Sequence, residues 1–294
     1  MKVHHRILSC GYYPTKIIKS LGRPFGLSSQ DNLRVLLYHD IPASDQARFA
    51  EQLRWLSKSW DFISVEKFSA MILGDEPIKG RNLLLTFDDG FASHRVVAEE
   101  VLNPMGIQAL FFVVSDFVSL QNREDARNFI SKNIQPGTPA KDLPETWANM
   151  NWTDLETLLE QGHTIGAHTK THARLSNINI GKNLEEEIIS CADILESNLG
   201  VSIEHFAYTF GDLASFSEEA LLIAKRRFRF IYSGLRGDNS PSIFPYAIQR
   251  DSAATQDSRS NYSVFSNSLL GSFLEGAADF KYKRDWSTIN IWGK

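Results

Sequence analysis

Two aspartates, Asp88 and Asp89, stand side by side at the end of the apolar run in "LLLTFDDGF" (83–91). Neighbouring carboxylates repel each other when desolvated, so the pair costs stability unless something positive offsets it. A divalent cation would do so at one aspartate and leave the other free to move a proton. Downstream, "HTIGAHTKTHARLS" (163–176) places His168 and His172 three residues apart. That spacing lets both imidazoles reach one ion from a helical turn or tight loop. Alone the pair says little, because exposed histidines recur at such spacings by chance. With Asp89 it becomes two neutral nitrogens and one carboxylate with open coordination positions, the pattern of a catalytic divalent site. Asp88 would then lie close to the ion's water, placed to take its proton.

Distant segments must be brought together for this to work. "LRVLLY" (33–38) reads as a buried strand that runs into His39, and residues 45–58 place Phe49, Leu53 and Leu56 on one helical face. "NLLLTF" (82–87) is a second strand, 92–103 a helix stopping at Asn103-Pro104, and "IQALFFVV" (107–114) a third strand. Residues 119–150 are polar, carry three of the ten prolines, and read as an inserted excursion facing the substrate or covering it. Thr153 and Glu156 are spaced as a capping box, "HTIGA" (163–167) is a short strand, and 184–199 is an amphipathic helix capped by Asn183. "HFAYTF" (205–210), "FRFIYS" (228–233) and "YAIQR" (246–250) complete the strands, with a helix at 217–226. Strands alternating with helices predict an α/β fold on parallel strands, whose sites gather at the carboxyl ends of the strands. His39, Asp88 and Asp89 all occupy such positions.

The 294-residue chain is 43% hydrophobic, enough for a sizeable core in one large domain or two small ones. Its 31 basic and 35 acidic residues give a net charge of −4, so no global basic field marks it for nucleic acid. Cys10 and Cys191 cannot make a disulfide framework, and Cys191 falls on a helical apolar stripe, as a small buried hydrophobe would. The basic start, "MKVHHRILSCGYYPTKIIKSLGRPFG", lacks the ~7–15 apolar residues of a signal-peptide core. No segment approaches the ~20 needed to cross a bilayer, so membrane contact is not expected and a cytoplasmic location is.

The same residues carry a resemblance. "TFDDG" (86–90) and "HTKTHARL" (168–175) resemble the first two motifs of the polysaccharide deacetylase family, also called the NodB homology domain or carbohydrate esterase family 4. "NWTDLETLLEQGHTIGAHT" is similar to the lead-in to its histidine motif, and "EHFAYTFGD" (204–212) to its third motif. "LLYHDIP" (36–42) resembles the opening strand of the branch that includes the poly-N-acetylglucosamine deacetylases, and the likeness spans roughly residues 33–252.

The resemblance implies a distorted (β/α) barrel of about seven parallel strands and a hydrolase removing N-acetyl groups from a sugar or polysaccharide. Asp89, His168 and His172 would hold the metal, zinc by default, with cobalt, nickel or iron also suited to that donor set. Asp88 would be the general base, His39 the acid that protonates the leaving amine, and Thr169 a brace for the histidine loop. Backbone N–H groups along Tyr208, Thr209 and Phe210 would stabilise the oxyanion, and Thr209 stands where the family usually has proline. The arginine that many members carry near the third motif is missing; Arg250 resembles a later arginine of the poly-N-acetylglucosamine branch and equally fits a surface residue at a strand end. Residues 1–32 are then a lead-in, 33–256 the barrel with its insertion at 119–150, and 257–294 a C-terminal extension. Trp147, Trp152, Tyr208 and Phe210 could stack on sugar faces or simply pack. Other outcomes stay open: deformylation or amide hydrolysis on a lipid- or nucleotide-linked aminosugar, or an inactive carbohydrate-binding relative.

Overall fold

Apolar side chains on both faces of a strand demand cover on both faces, which parallel strands obtain from the helices that connect them. The computed structural model, which describes residues 31–178, 182–241, 244–253 and 267–293, has this arrangement. Its strands are β1 (Asn32–Tyr38), β2 (Asp61–Phe62), β3 (Arg81–Phe87), β4 (Ala109–Val113), β5 (Thr164–Ala167), β6 (His205–Ala207), β7 (Phe230–Tyr232) and β8 (Asp251–Ser252). All pair in parallel in the order β7-β6-β5-β4-β3-β1-β8, with β2 hanging on β3. Between the two edges, Ile248 makes a single bridge to Tyr232, and three residues later β8 pairs with Leu36 and Leu37. The sheet is therefore curled, with seven strands and β2 in addition, in agreement with the expected barrel.

Alternation along the strands sorts the core. Leu33, Val35, Leu84, Leu110, Phe112, Phe230 and Tyr232 meet inside the curl, plugged by Phe68, Met71 and Ile72 of a helix at Val65–Leu73. Leu36, Tyr38, Leu83, Leu85, Phe87, Phe111 and Val113 face outward into a larger cluster, together with Phe49 and Leu53 and with Ile188, Cys191 and Leu195. Gly166 is needed here: a Cβ would lie 2.7 Å from the Phe112 ring. Among the described residues, no helix is long and apolar enough to cross a membrane.

In order, the helices are α1 (Gln46–Leu56), α2 (Val65–Leu73), α3 (Ala92–Val97), α4 (Ser115–Val118), α5 (Arg123–Phe129), α6 (Trp152–Glu160), α7 (Lys182–Leu199), α8 (Glu218–Arg227), α9 (Asn267–Leu274) and α10 (Lys283–Trp292). Several boundaries differ from expectation. The capping box of α6 is Asn151 with Asp154, not Thr153 with Glu156, each side chain accepting the other's backbone N–H at 3.0 Å. Asn and Asp are short enough to close that ring two residues earlier. Asn183 lies inside α7. Pro104 does not end the helix after α3 but opens one further turn, Asn103–Met105, whose first positions need no N–H. The strand expected at 246–250 is only the bridge at Ile248, because Pro245–Ala247 turn before it.

The insertion is packed. Phe91, Val114, Phe117, Ala126, Ile130, Ile134 and Leu143 form a small core of their own, and an antiparallel bridge joins Asn149 to Phe91. At the other end of the chain, Leu269, Leu270, Phe273 and Leu274 of α9 and Ile289 of α10 enter the main core. Arg34, buried on the outward face of β1, donates to the carbonyls of Phe273 (2.9 Å) and Leu274 (3.2 Å), and pairs with Asp279 (2.9 Å) and Asp251 (3.3 Å). Arg236 holds the other Asp251 oxygen at 3.2 Å. The lead-in assigned to 1–32, except its last two residues, lies outside the described residues, as do Cys10 and residues 254–266.

Two buried histidines give the fold a pH dependence. His163 Nδ1 accepts the N–H of Ala109 (3.1 Å) while Nε2 faces Asn103 Oδ1 (3.0 Å), an arrangement only the neutral ring satisfies. Burial pushes His163 down to about 4, and burial with Arg229 nearby pushes His205 down to about 3. The unfolded chain protonates such rings near pH ~6.5. Stability is thus complete above that pH and is lost as pH falls toward 4, by up to ~1.4 kcal/mol per pH unit per ring. Urea midpoints measured from pH 7 to 4.5 should fall steadily across this window; a flat series would mean that both rings protonate without cost in the folded protein.

Candidate metal centre and active site

Successive strand residues point to opposite faces, so two aspartates in a row cannot both look into the curl if β3 simply continues. Asp89 leaves the strand with φ 80°, and both carboxylates then approach one imidazole: His168 Nε2 is 3.8 Å from Asp88 and 3.5 Å from Asp89. Asp88 meets Arg250 in a two-pronged pair, with Nη1 and Nη2 at 2.7 and 2.9 Å from its two oxygens. Arg250 Nε donates to the carbonyl of Ser233 at 2.7 Å, which fixes the fork. Both partners are buried. Burial pushes the Asp88 carboxyl up, but Arg250, then His168, outweigh it and hold Asp88 below the usual carboxylate range. Arg250 is therefore not a surface residue: it is buried against Asp88 and fixes the orientation of that carboxylate.

The histidine loop is held from several sides. The His168 N–H donates to Val113 O (2.9 Å), and its Nδ1 donates to Ala207 O at the end of β6 (2.7 Å). His172 Nδ1 donates to Asn133 O at 2.9 Å. Carbonyls only accept, so both rings carry hydrogen on Nδ1 and turn Nε2, the nitrogen that could ligate an ion, inward. Glu187 on α7 accepts the N–H and hydroxyl of Thr171 at 2.9 and 2.7 Å. The Thr209 hydroxyl donates to Ala173 O, so the residue in place of the usual proline ties the third motif to the histidine loop. Thr169 does not act as the expected brace, because its buried hydroxyl has no hydrogen-bond partner.

Asp89 Oδ1 is buried without a hydrogen-bond partner, yet His168 Nε2 and His172 Nε2 face it at 3.5 and 3.3 Å. Those separations are long for hydrogen bonds. They match the ~3.4 Å between neighbouring ligand atoms of a tetrahedral ion bound at ~2.1 Å. One ligand atom from each residue falls within 4.8 Å of the others. Two inward imidazole nitrogens and an orphaned buried carboxylate oxygen are what a divalent ion would satisfy, so the residues present fit a metal. Without one, burial pushes Asp89 up and the two imidazoles more than reverse this, leaving it well below its ordinary range; burial lowers His168, and the two aspartates more than restore it.

Other expected residues fall around this cluster. His39 follows β1, and its carbonyl lies 3.3 Å from His94 Nε2. Phe210 is 40% exposed at the rim, edge-on to His172 with ring centroids 4.9 Å apart, and Arg174 covers it at 4.2 Å. Tyr208 needs correction: it is fully buried, stacked on Phe216 at 4.1 Å, and its N–H donates to Tyr232 O (3.3 Å), so it belongs to the core and not to a groove. Gly211 lies so close to Gly234 that a Cβ would meet backbone at 2.7 Å, which lets the third motif rest on the loop carrying Ser233. Sequence reading missed Asn133, Ala207 and Ser233, which act through carbonyls that no side-chain pattern signals. It also missed His94, a buried ring against Phe87, Phe91 and Phe111, whose pKa burial pushes down to about 4.

The Arg250–Asp88 pair sets a stability test. Arg250→Met would leave Asp88 buried and unpaired, at a cost of ~3–5 kcal/mol. Adding Asp88→Asn to that variant should recover part of the loss, because no charge then remains to be paired. Urea unfolding of both variants measures this, and an Arg250→Met protein as stable as the parent would refute the pairing.

A sequence model of the family described as "Polysaccharide deacetylase" matches residues 75–227, just over half of the chain. Comparison with curated proteins gives no match. Among solved structures, IcaB from Ammonifex degensii is 20% identical with a TM-score of 0.60, covering 83% of this chain and 97% of its own. The deacetylase PplD of Streptococcus pyogenes, solved with acetate, is 18% identical with a TM-score of 0.59, covering 76% and 93%. The BpsB deacetylase domain of Bordetella bronchiseptica is 18% identical with a TM-score of 0.58, covering 81% and 98%. These likenesses concern the fold; the sequence match carries the kinship, and by it the chain belongs to the polysaccharide deacetylase family.

Proposed function

We propose that the protein is a metal-dependent hydrolase that removes the N-acetyl group from an N-acetylated sugar or polysaccharide. One observation carries the reading: a partnerless buried oxygen of Asp89 faces two imidazoles locked in the ligand tautomer, beside an Asp88 kept ionised by Arg250. Asp89, His168 and His172 would hold a divalent ion, zinc by default, which when bound supplies Lewis acidity and brings the pKa of water toward ~7. Asp88, ionised and fixed in orientation, accepts the proton of the attacking water. Backbone N–H groups of the Thr209–Phe210 stretch offer donors to the developing oxyanion, while Tyr208, already bonded to Tyr232, does not. His39, across from the aspartates, gives its proton to the departing amine. Phe210 offers an apolar face to a sugar at the rim. The fold shared with two deacetylases, one solved with acetate, supports acetyl as the group removed.

Acetate release should be measured on polymeric, nucleotide-linked and lipid-linked N-acetyl sugars, with and without chelator. Release on at least one class, abolished by chelator, is expected; none on any class would favour a binding relative, and release indifferent to chelator would overturn the metal dependence. Formate from the N-formyl analogues in place of acetate would change the acyl group and keep the site.

The residue roles separate in variants. Asp88→Asn should abolish turnover with metal content unchanged, and His168→Ala should lose both. His39→Ala should slow turnover by ~10²–10⁴-fold, the usual worth of a general acid. An active Asp88→Asn enzyme would exclude Asp88 as the base.

A further inference from the structure

The two histidines of the centre are oriented from different parts of the molecule. His168 donates to Ala207 O, on a strand of the barrel, whereas His172 donates to Asn133 O, within the insertion. Asn133 lies in the wide turn Ile130–Ile134 that continues α5. The last turn of a helix leaves carbonyls without internal partners and carries partial negative charge. One of these carbonyls meets the His172 Nδ1–H at 2.9 Å. The Asn133 side chain makes a second contact, its Nδ2 donating to Thr171 O at 2.8 Å. A single residue thus grips the histidine loop on two sides, at a point where His172 itself is held at φ 62°.

The insertion is a firm base for this grip. It is bridged to the aspartate loop by Ala92 N–H to Ala148 O (2.8 Å) and Met150 N–H to Gly90 O (2.9 Å). Arg127 closes it internally by donating to Ala140 O (2.6 Å), Leu143 O (3.1 Å) and Pro144 O (2.9 Å).

We propose that Asn133, carried by the insertion, is a positioning residue for His172 and in that way sets the affinity of the metal centre. The inference rests on the reading that Asp89, His168 and His172 hold a divalent ion. An acceptor on Nδ1 fixes the ring and makes Nε2 a better donor. Asn133→Ala keeps the carbonyl but frees it to swing away from the ring.

The test is metal affinity of the full chain, read by competition of Zn2+ and Co2+ against a chromophoric chelator. Asn133→Ala should weaken both ions by ~10–100-fold, the usual effect of losing a partner behind a ligand, and shift the Co2+ absorption bands. Arg127→Ala, which loosens the insertion without touching the histidine loop, serves as the comparison. It should lower the melting temperature at least as much and the affinity far less. Equal affinities in Asn133→Ala and the parent, or equal losses in the two variants, would overturn the proposal. If the parent binds neither ion, the metal reading itself falls, a result distinct from either.

Discussion

Two adjacent carboxylates are buried at the end of β3, and the site is arranged around making that tolerable. A common counter-charge would pull both acids into one role. They are divided: Asp88 is committed to a guanidinium, Asp89 to a pair of imidazoles. The first partner is a permanent cation, so Asp88 stays ionised whatever else binds. The second set carries no fixed charge, so the negative charge of Asp89 is fully answered only by a cation. The asymmetry gives the two adjacent acids different partners and different electrostatic settings.

Holding that division costs backbone strain. Among the described residues, the four non-glycine positions with positive φ are Asp89, Thr169, His172 and Phe210, all of them at the centre. Each such residue costs on the order of 1–2 kcal/mol. Thr169 is the most adverse, being β-branched. The neighbouring bonds offset it: Glu187 on the histidine loop, Thr209 across to Ala173, and the glycine contact that seats the third motif.

The parallel sheet was legible in the sequence because two-faced burial leaves continuous apolar runs, and the cluster was legible because it is built from side chains whose types stand out in a sequence. The acid and histidine motifs therefore stood out at 88–89 and 168–172. What lay beyond reach depends on long-range placement. Arg250 pairs with Asp88 from 162 residues away, and its sequence surroundings equally suit a strand end at the surface. The supports from Ala207, Asn133 and Ser233 are backbone carbonyls, the same whatever side chain stands there. Tyr208 could equally have stacked on a sugar; the Phe216 stack shows it to be core. The misplaced cap of α6 was a matter of register, since Thr-x-x-Glu and Asn-x-x-Asp overlap within six residues.

Arg250 and Asp251 are consecutive, and alternation sends them to opposite faces of the closing strand. One reaches inward to the Asp88 carboxylate; the other reaches outward to Arg34 and Arg236, where α9 presents its terminal carbonyls. A shift of this segment by one position would exchange the two, setting an acid against Asp88 and a guanidinium against Arg34. The closing strand is thus keyed electrically, and the last helices, by anchoring the outer tooth of that key, hold the inner one in its lock.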